Sequence, residues 1–373
     1  MKILIFTEGF FPGKKYGGPP VSVDNFCSLL KDNMDCFIVT RNHDLGENAP
    51  YNGIHSGWNE RDNAKVMYLS DSLFCTSYFE KIINDVKPDY IYLQSLFQAC
   101  IFPCLLLAKK YNIKVVLAPR GELCAGAFKK KYKKIPYIIL LRLLKLLRTV
   151  IFQSTSDEET LAIRKYLGAS SEKIYLLTNI PSIPQGLTER GKKISGKGRI
   201  VFISRILWKK NLLSAIKYLK GVTGDVTFDI YGPKEDIKYW YECENAIKEL
   251  PSNVVVKYKG VLSHDDIHKT FNQYDAFLFP TLSENYGHVI AEALVSGCLP
   301  IISDQTPWND INVAGAGWVI PLTEESFFSA AIQQVVDMNN EEACARRIAI
   351  STYIEKKMKI SDLKSDYLMT FSL

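Results

Sequence analysis

At 373 residues, 47% of them hydrophobic and 23% charged, the chain is longer than one core of ordinary size supports and reads as two folded domains. Its formal charge of +6 is too weak to point to nucleic acid by itself and is compatible with an anionic ligand or membrane surface. No uncharged run of about 18 residues is present to cross a membrane, and the apolar start "MKILIFTEGFFPG" is too short and too soon acidic for a signal peptide.

Short β-branched runs alternate with helical patterns from end to end, which predicts an α/β fold of parallel sheets covered by helices. In the first half the expected strands are "KILIF" (2–6), "CFIVT" (36–40), "YIYL" (90–93), "KVVLA" (114–118), "VIFQ" (150–153) and "KIYLL" (173–177). After the first strand, "GFFPGKKYGGPPVSV" carries Gly13, Gly17 and Gly18 just before a helix. Such glycines fit backbone that passes close to a diphosphate or acceptor, or a plain flexible turn. The segment is not G-x-G-x-x-G, which argues against a nicotinamide-dependent dehydrogenase.

Gln94 and Ser95 follow the strand at 90–93; both can donate hydrogen bonds, and neither is a useful acid or base at neutral pH. Arg120 and Glu122, in "LAPRGELC", follow the next strand and are expected to line the first domain's side of a ligand cleft, with mutual pairing as the alternative. The lysine run "KKKYKK" (129–134) leads into "IPYIILLRLLKLLRTV", where Arg142, Lys145 and Arg148 recur at helical spacing. A basic stripe beside an apolar face reads as a surface for anionic lipid, or as a core helix preceded by solvated lysines. The nine cysteines, among which Cys100 and Cys104 are closest, form no C-x-x-C pair and read as reduced, buried thiols of a cytosolic protein.

The Pro-, Gly-, Ser- and Lys-rich stretch 179–199 is expected to link a first domain over 1–180 to a second over 181–355, with a terminal helix in 356–373 returning to the first. The second domain's strands are "RIVFIS" (199–204), "VTFDIYG" (226–232), "NVVVKY" (253–258), "DAFLFP" (275–280) and "LPIIS" (299–303). Two doubly wound domains then face each other, with the ligand outside the carboxyl ends of their strands.

Two loops of the second domain carry chemistry. In "FISRILWKKNL", Arg205 and Lys210 follow a strand, where two fixed cations can hold a diphosphate or form an ordinary basic loop. In "PTLSENYGHVIAEALVSGCLP", Glu284 lies in a strand-to-helix loop and Glu292 in the second helical turn amid apolar residues. A carboxylate in that setting needs donors or a cation; a sugar diol would serve, and so would an exposed helix edge or a lysine partner. Gly287 lets a ligand approach the free amides of the helix start. His288, next to it, fits either contact with a donor sugar or no role. No D-x-D triplet and no ligand spacing among the five histidines points to a metal.

At these residues the chain resembles the retaining nucleotide-sugar glycosyltransferases of GT-B fold, glycosyltransferase family 4. "ENYGHVIAE" is similar to their E-x7-E signature, "SRILWKKN" to their Arg-x4-Lys motif, "KYGGPPVSV" to their glycine-rich first loop, and "APRGELCAGAFKKKYKK" to the PRGE segment of members that build bacterial surface polysaccharides. The resemblance implies two Rossmann-like domains and transfer of a sugar, with retention, from a nucleoside diphosphate to a saccharide or lipid-linked acceptor. It implies that Glu292 binds the ribose, that Glu284, Asn285, Tyr286 and Gly287 bind the donor sugar, and that Arg205 and Lys210 bind the diphosphate. Gly17 and Gly18 fall on the donor side, and Arg120, Glu122 and Gln94 on the acceptor side. Where many relatives carry a histidine near the reacting sugar, this chain has Gln94 and Ser95. No cofactor or metal is expected, and the protein is placed in the cytoplasm, at the inner face of the membrane if 129–148 docks there. A nucleotide-sugar epimerase and a catalytically silent sugar-nucleotide-binding subunit are the alternatives.

Overall fold

The structure, a computed structural model, describes residues 1–124, 128, 131–180, 182, 190–284 and 286–372, without the side chains of 131, 360 and 361. The chain divides into two compact units, 1–180 with 360–373, and 181–359. The call on Asn285, the lysines at 129 and 130, and most of the linker lie outside the described residues.

The first unit runs β1 (Lys2–Phe6), α1 (Gly18–Leu30), β2 (Asp35–Arg41), β3 (Trp58–Arg61), β4 (Ala64–Leu69), α2 (Thr76–Val86), β5 (Tyr90–Gln94), α3 (Ile101–Tyr111), β6 (Lys114–Ala118), α4 (Lys131–Leu143), β7 (Val150–Ser154), α5 (Asp157–Ala162) and β8 (Ile174–Leu176). Its sheet has the order β3-β4-β2-β1-β5-β6-β7-β8, parallel throughout except for β3, which forms an antiparallel hairpin with β4. The strands read as continuous apolar runs because both faces are covered. Along β1, Leu4 and Phe6 enter a core shared with α2 and α3, while Ile3 and Ile5 enter a second core shared with α1.

The second unit comprises β9 (Lys197–Ile203), α6 (Leu212–Tyr218), β10 (Asp225–Tyr231), α7 (Ile237–Lys248), β11 (Val254–Gly260), α8 (Ile267–Phe271), β12 (Ala276–Phe279), α9 (His288–Val295), β13 (Leu299–Ser303), β14 (Trp318–Ile320), α10 (Glu325–Asp337) and α11 (Asn340–Met358). Its parallel sheet has the order β11-β10-β9-β12-β13-β14. Helix α11 starts in a capping box, in which the Asn339 side chain accepts from the Glu342 amide and the Glu342 side chain accepts from the Asn339 amide, and it continues to Met358. After it, α12 (Ile360–Thr370) belongs to the first unit, where Tyr367 and Phe371 pack against the Phe26 ring at 5.6 and 5.4 Å between centroids.

Three expectations need correction. Helix α4 ends at Leu143, so Lys145 and Arg148 do not extend a basic stripe: the chain turns, with Lys145 at φ 55°, so that Leu146 and Leu147 enter the core ahead of β7. Lys134 also turns inward, its Nζ 4.3 Å from the Phe97 ring centre and 3.4 Å from the Glu122 carbonyl oxygen. The cysteines are unbridged, but Cys75, at the start of α2, is half-buried and Cys344, on α11, is exposed. Among the described residues no helix is long and apolar enough to cross a membrane.

Candidate active site

In the second unit the chain winds outward from β9 to β10 and β11, then crosses back to β12 and winds the other way. The loops after β9 and β12 therefore diverge and leave a crevice at the carboxyl ends of those strands, the place where open α/β sheets take ligands.

Those loops are tied together by backbone. A short 3-10 turn over Trp208–Lys210 ends at Asn211, whose left-handed backbone (φ 59°) turns the chain into α6. Asn211 Nδ2 donates to the Pro280 carbonyl at 2.9 Å, and the Leu282 amide donates to the Lys209 carbonyl at 2.9 Å. The Glu284 amide in turn donates to the Gln305 carbonyl, after β13, at 2.9 Å. This framework brings Lys210 and Glu284 into a direct ion pair, with side chains only 12% and 14% exposed. Burial holds the Lys210 ammonium below its ordinary pKa, and the Glu284 carboxylate pulls the other way. A desolvated pair of this kind contributes little to stability. It offers instead a fixed cation that can exchange its carboxylate for an incoming phosphate.

Arg205 leaves β9 beside the loop after β10 and sits 3.4 Å from Glu235, a partner that nothing in the sequence pattern singled out. The first cation is thus aimed toward β10 and the second toward β12.

The Tyr286–Gly287 backbone leads into α9. Gly287 has φ 77°, a left-handed backbone that favours glycine, and a Cβ there would stand 2.9 Å from Ile290 Cδ1, so that side chain would have to shift. Trp308, after β13, holds the loop from behind through Nε1, which donates to the Tyr286 carbonyl at 2.5 Å. Burial, and then Glu292, raises the Tyr286 phenol. His288 lies against the Tyr286 ring, 4.7 Å between centroids.

Glu292 is inside the unit, 3% exposed, and burial pushes its carboxyl up to about 8. It is not at an exposed helix edge, and among the described residues no lysine bridges it. Beside it lies His264, in the turn after β11, with Nδ1 3.7 Å from Oε1. His264 and Trp308 were missed by sequence reasoning; a loop after a strand's carboxyl end was the only signal available for either.

In the first unit the named side chains are drawn into internal networks. Arg120, at φ 57°, donates from Nε to Gln94 Oε1 at 2.8 Å, from Nη2 to the Tyr92 hydroxyl at 3.1 Å, and from Nη1 to Asn179 Oδ1. Gln94 is fully buried, and its Nε2 has no partner within normal hydrogen-bond distance among the described residues. Glu122 accepts from Ser95 Oγ at 2.6 Å and from the Leu96 amide at 2.7 Å, so both its oxygens are engaged. Gly17 has φ 73° and Gly18 begins α1, but the first turn carries Pro19 and Pro20, which lack amide hydrogens. That helix start has fewer donors for a phosphate than its glycines suggest.

Residues 187–351, nearly the whole second unit, match the family model of glycosyl transferases group 1. A curated relative, the UDP-N-acetylglucosamine–peptide N-acetylglucosaminyltransferase GtfA subunit of Streptococcus pneumoniae serotype 4, is 25% identical over 167 residues. That stretch is 40% of this chain and 32% of the relative's own length. Among solved structures, HepE of Anabaena in complex with UDP and glucose aligns with TM-score 0.70 at 14% identity, over 100% of this chain and 99% of its own. A TarM variant of S. aureus, in complex with Fondaparinux, alpha-GlcNAc-glycerol and UDP, aligns with TM-score 0.70 at 14% identity over 100% of both chains. WaaG, a glycosyltransferase involved in lipopolysaccharide biosynthesis, aligns with TM-score 0.64 at 12% identity over 98% of both. The fold is GT-B, built from two Rossmann-like units.

Proposed function

We propose that this chain is a metal-independent glycosyltransferase that moves a sugar from a nucleoside diphosphate to a saccharide or lipid-linked saccharide acceptor, with retention, in building a bacterial surface polysaccharide. The observation that carries the reading is the Lys210–Glu284 pair, fixed between the β9 and β12 loops of a unit that matches the group 1 family. The names of the similar structures, which include complexes with UDP, and the lipopolysaccharide role named for WaaG support it.

In this reading the donor's diphosphate takes Lys210 from Glu284 and draws on Arg205, while Glu284 turns to the sugar hydroxyls and the Tyr286–Gly287 backbone faces the donor. As the glycosidic bond breaks, the two cations meet the charge that grows on the leaving phosphate, so no divalent ion is needed. Front-face attack, in which the departing phosphate oxygen accepts the acceptor's proton, needs no protein nucleophile. The two hydrogen bonds that engage Glu122 favour that route over a covalent glycosyl-Glu122. The test is release of nucleoside diphosphate from UDP-, GDP- and ADP-sugars in the presence of EDTA, with the product's anomeric configuration read by NMR. Turnover in EDTA and a retained anomer are expected. Loss of activity that manganese restores, or an inverted product, would contradict the proposal.

The proposal places the protein in the cytoplasm, at the inner face of the membrane, with α4 as the contact. Tyr132, Ile135, Ile139 and Leu143 recur along that helix with 72%, 38%, 49% and 74% of their surfaces exposed, beside exposed Lys133 and Arg142. An apolar stripe with basic flanks suits an anionic interface. Replacing Lys129, Lys130, Lys131 and Lys133 by Gln should weaken binding to phosphatidylglycerol vesicles by roughly 1 kcal/mol per lysine at low salt. Donor binding should not change. Equal sedimentation of both proteins with vesicles would remove the membrane from the account.

A further inference from the structure

We infer that His264 and Glu292 form a proton-sharing pair in which His264 positions the Glu292 carboxylate to accept the ribose hydroxyls of a nucleoside diphosphate; this rests on the donor reading above. The two residues are distant in the chain and meet because the turn after β11 leads into α8, which packs on α9. Their side chains are 14% and 4% exposed, and Nδ1 lies 3.7 Å from Oε1, a short side-chain movement from a hydrogen bond.

A ribose diol presents two O–H donors. An ionised carboxylate accepts both, whereas a protonated carboxyl spends one oxygen holding its own hydrogen. Burial raises Glu292 to about 8, so near neutral pH the carboxyl holds a proton in the unliganded protein. If that proton passes from Oε1 to Nδ1 of His264, the carboxylate and an imidazolium form with no change in the pair's net charge. The acceptor form is then reached without releasing a proton to solvent.

Two neighbouring groups are unsuited to this task. His268, on α8, is held down to about 4 by burial and by His264, and its two ring nitrogens are bonded to Ser182 Oγ at 2.8 Å and Ser296 Oγ at 2.7 Å. The Tyr286 phenol, before α9, is pushed up and stays neutral.

The experiment measures dissociation constants for UDP, GDP and ADP by calorimetry, for the wild type, His264→Gln and Glu292→Gln, across about one pH unit either side of Glu292's value. Comparing each variant with the wild type at the same pH cancels titration of the phosphates and of Lys210. One unit below its pKa, roughly one Glu292 in ten is ionised unaided, so His264→Gln should bind more weakly there, by up to about tenfold. One unit above, the deficit should nearly vanish. Glu292→Gln should be weaker than the wild type at both ends. A deficit in His264→Gln that ignores pH, or none at all while Glu292→Gln still weakens binding, overturns the inference and leaves the donor reading standing. A wild type that binds none of the three overturns both. Should His264→Gln fail to fold, 15N spectra of the wild type serve instead: adding the bound nucleotide near neutral pH should protonate the His264 ring, and an unchanged ring overturns the inference.

Discussion

Arg205→Ala and Lys210→Ala are each expected to lower kcat by about a hundred- to a thousandfold, with a smaller rise in the donor KM. Negative charge on the terminal phosphate is greatest in the transition state, so a fixed cation there acts more on the barrier than on ground-state binding. Removing one preorganised donor of this kind costs roughly 2.7 to 4 kcal/mol. The two substitutions should differ in one respect. Lys210 is enclosed and paired to Glu284, so its loss also leaves an unbalanced carboxylate facing the incoming phosphate, and KM should rise more than for Arg205. Arg205 is 37% exposed and shares a looser pair with Glu235, so its variant should show the purer kcat effect. Steady-state kinetics on the two proteins checks this. Near-normal kcat in both would reduce them to a solvated basic loop.

The second large effect is on folding. Gly232 leaves β10 at φ 138°, and a Cβ there would stand 1.8 Å from the Ser204 carbonyl oxygen and 2.6 Å from its carbon. Both are backbone atoms, immediately before Arg205, and cannot swing away. Gly232→Ala must therefore push the ends of β9 and β10 apart, at a cost of about 2 to 6 kcal/mol from overpacking and backbone strain together. Gly260→Ala is the control: it has φ 84° but nothing within 4 Å of the new methyl, so only the left-handed backbone is penalised, by about 1 to 2 kcal/mol. Urea titrations of the two variants should separate widely. Similar midpoints would mean that the β9–β10 edge is more yielding than its contacts require.

Much of the fold could be read because buried parallel strands advertise themselves. Residues Ile3 to Phe6 are apolar at every position, which only a sheet covered on both faces demands. The strands that escaped notice lack that signature. β3 is "WNER", half-exposed, β14 has three residues, and β4, the inner strand of the edge hairpin, is buried and apolar only over its last four. Helix α4 was overextended because Leu146 and Leu147 continue an apolar periodicity while facing the core from a turn.

The candidate site was legible by residue type and strand position but not by pairing. Lys210 and Glu284 are 74 residues apart, and their contact depends on β9 and β12 being neighbours, a matter of strand order. The same holds for Glu235, whose position after β10 puts it beside Arg205. Local pattern carries no record of His264 against Glu292 or of Trp308 behind Gly287, since each meets its partner through the packing of separate loops.

The central claim is that the β9–β12 crevice holds the donor's diphosphate, and a crystal structure with whichever of UDP, GDP or ADP binds tests it most directly. The account predicts a terminal phosphate within about 3 Å of Lys210 Nζ, Glu284 released from that ammonium, and the ribose hydroxyls on Glu292. A nucleotide bound elsewhere on the second unit, with the Lys210–Glu284 pair intact, would contradict it.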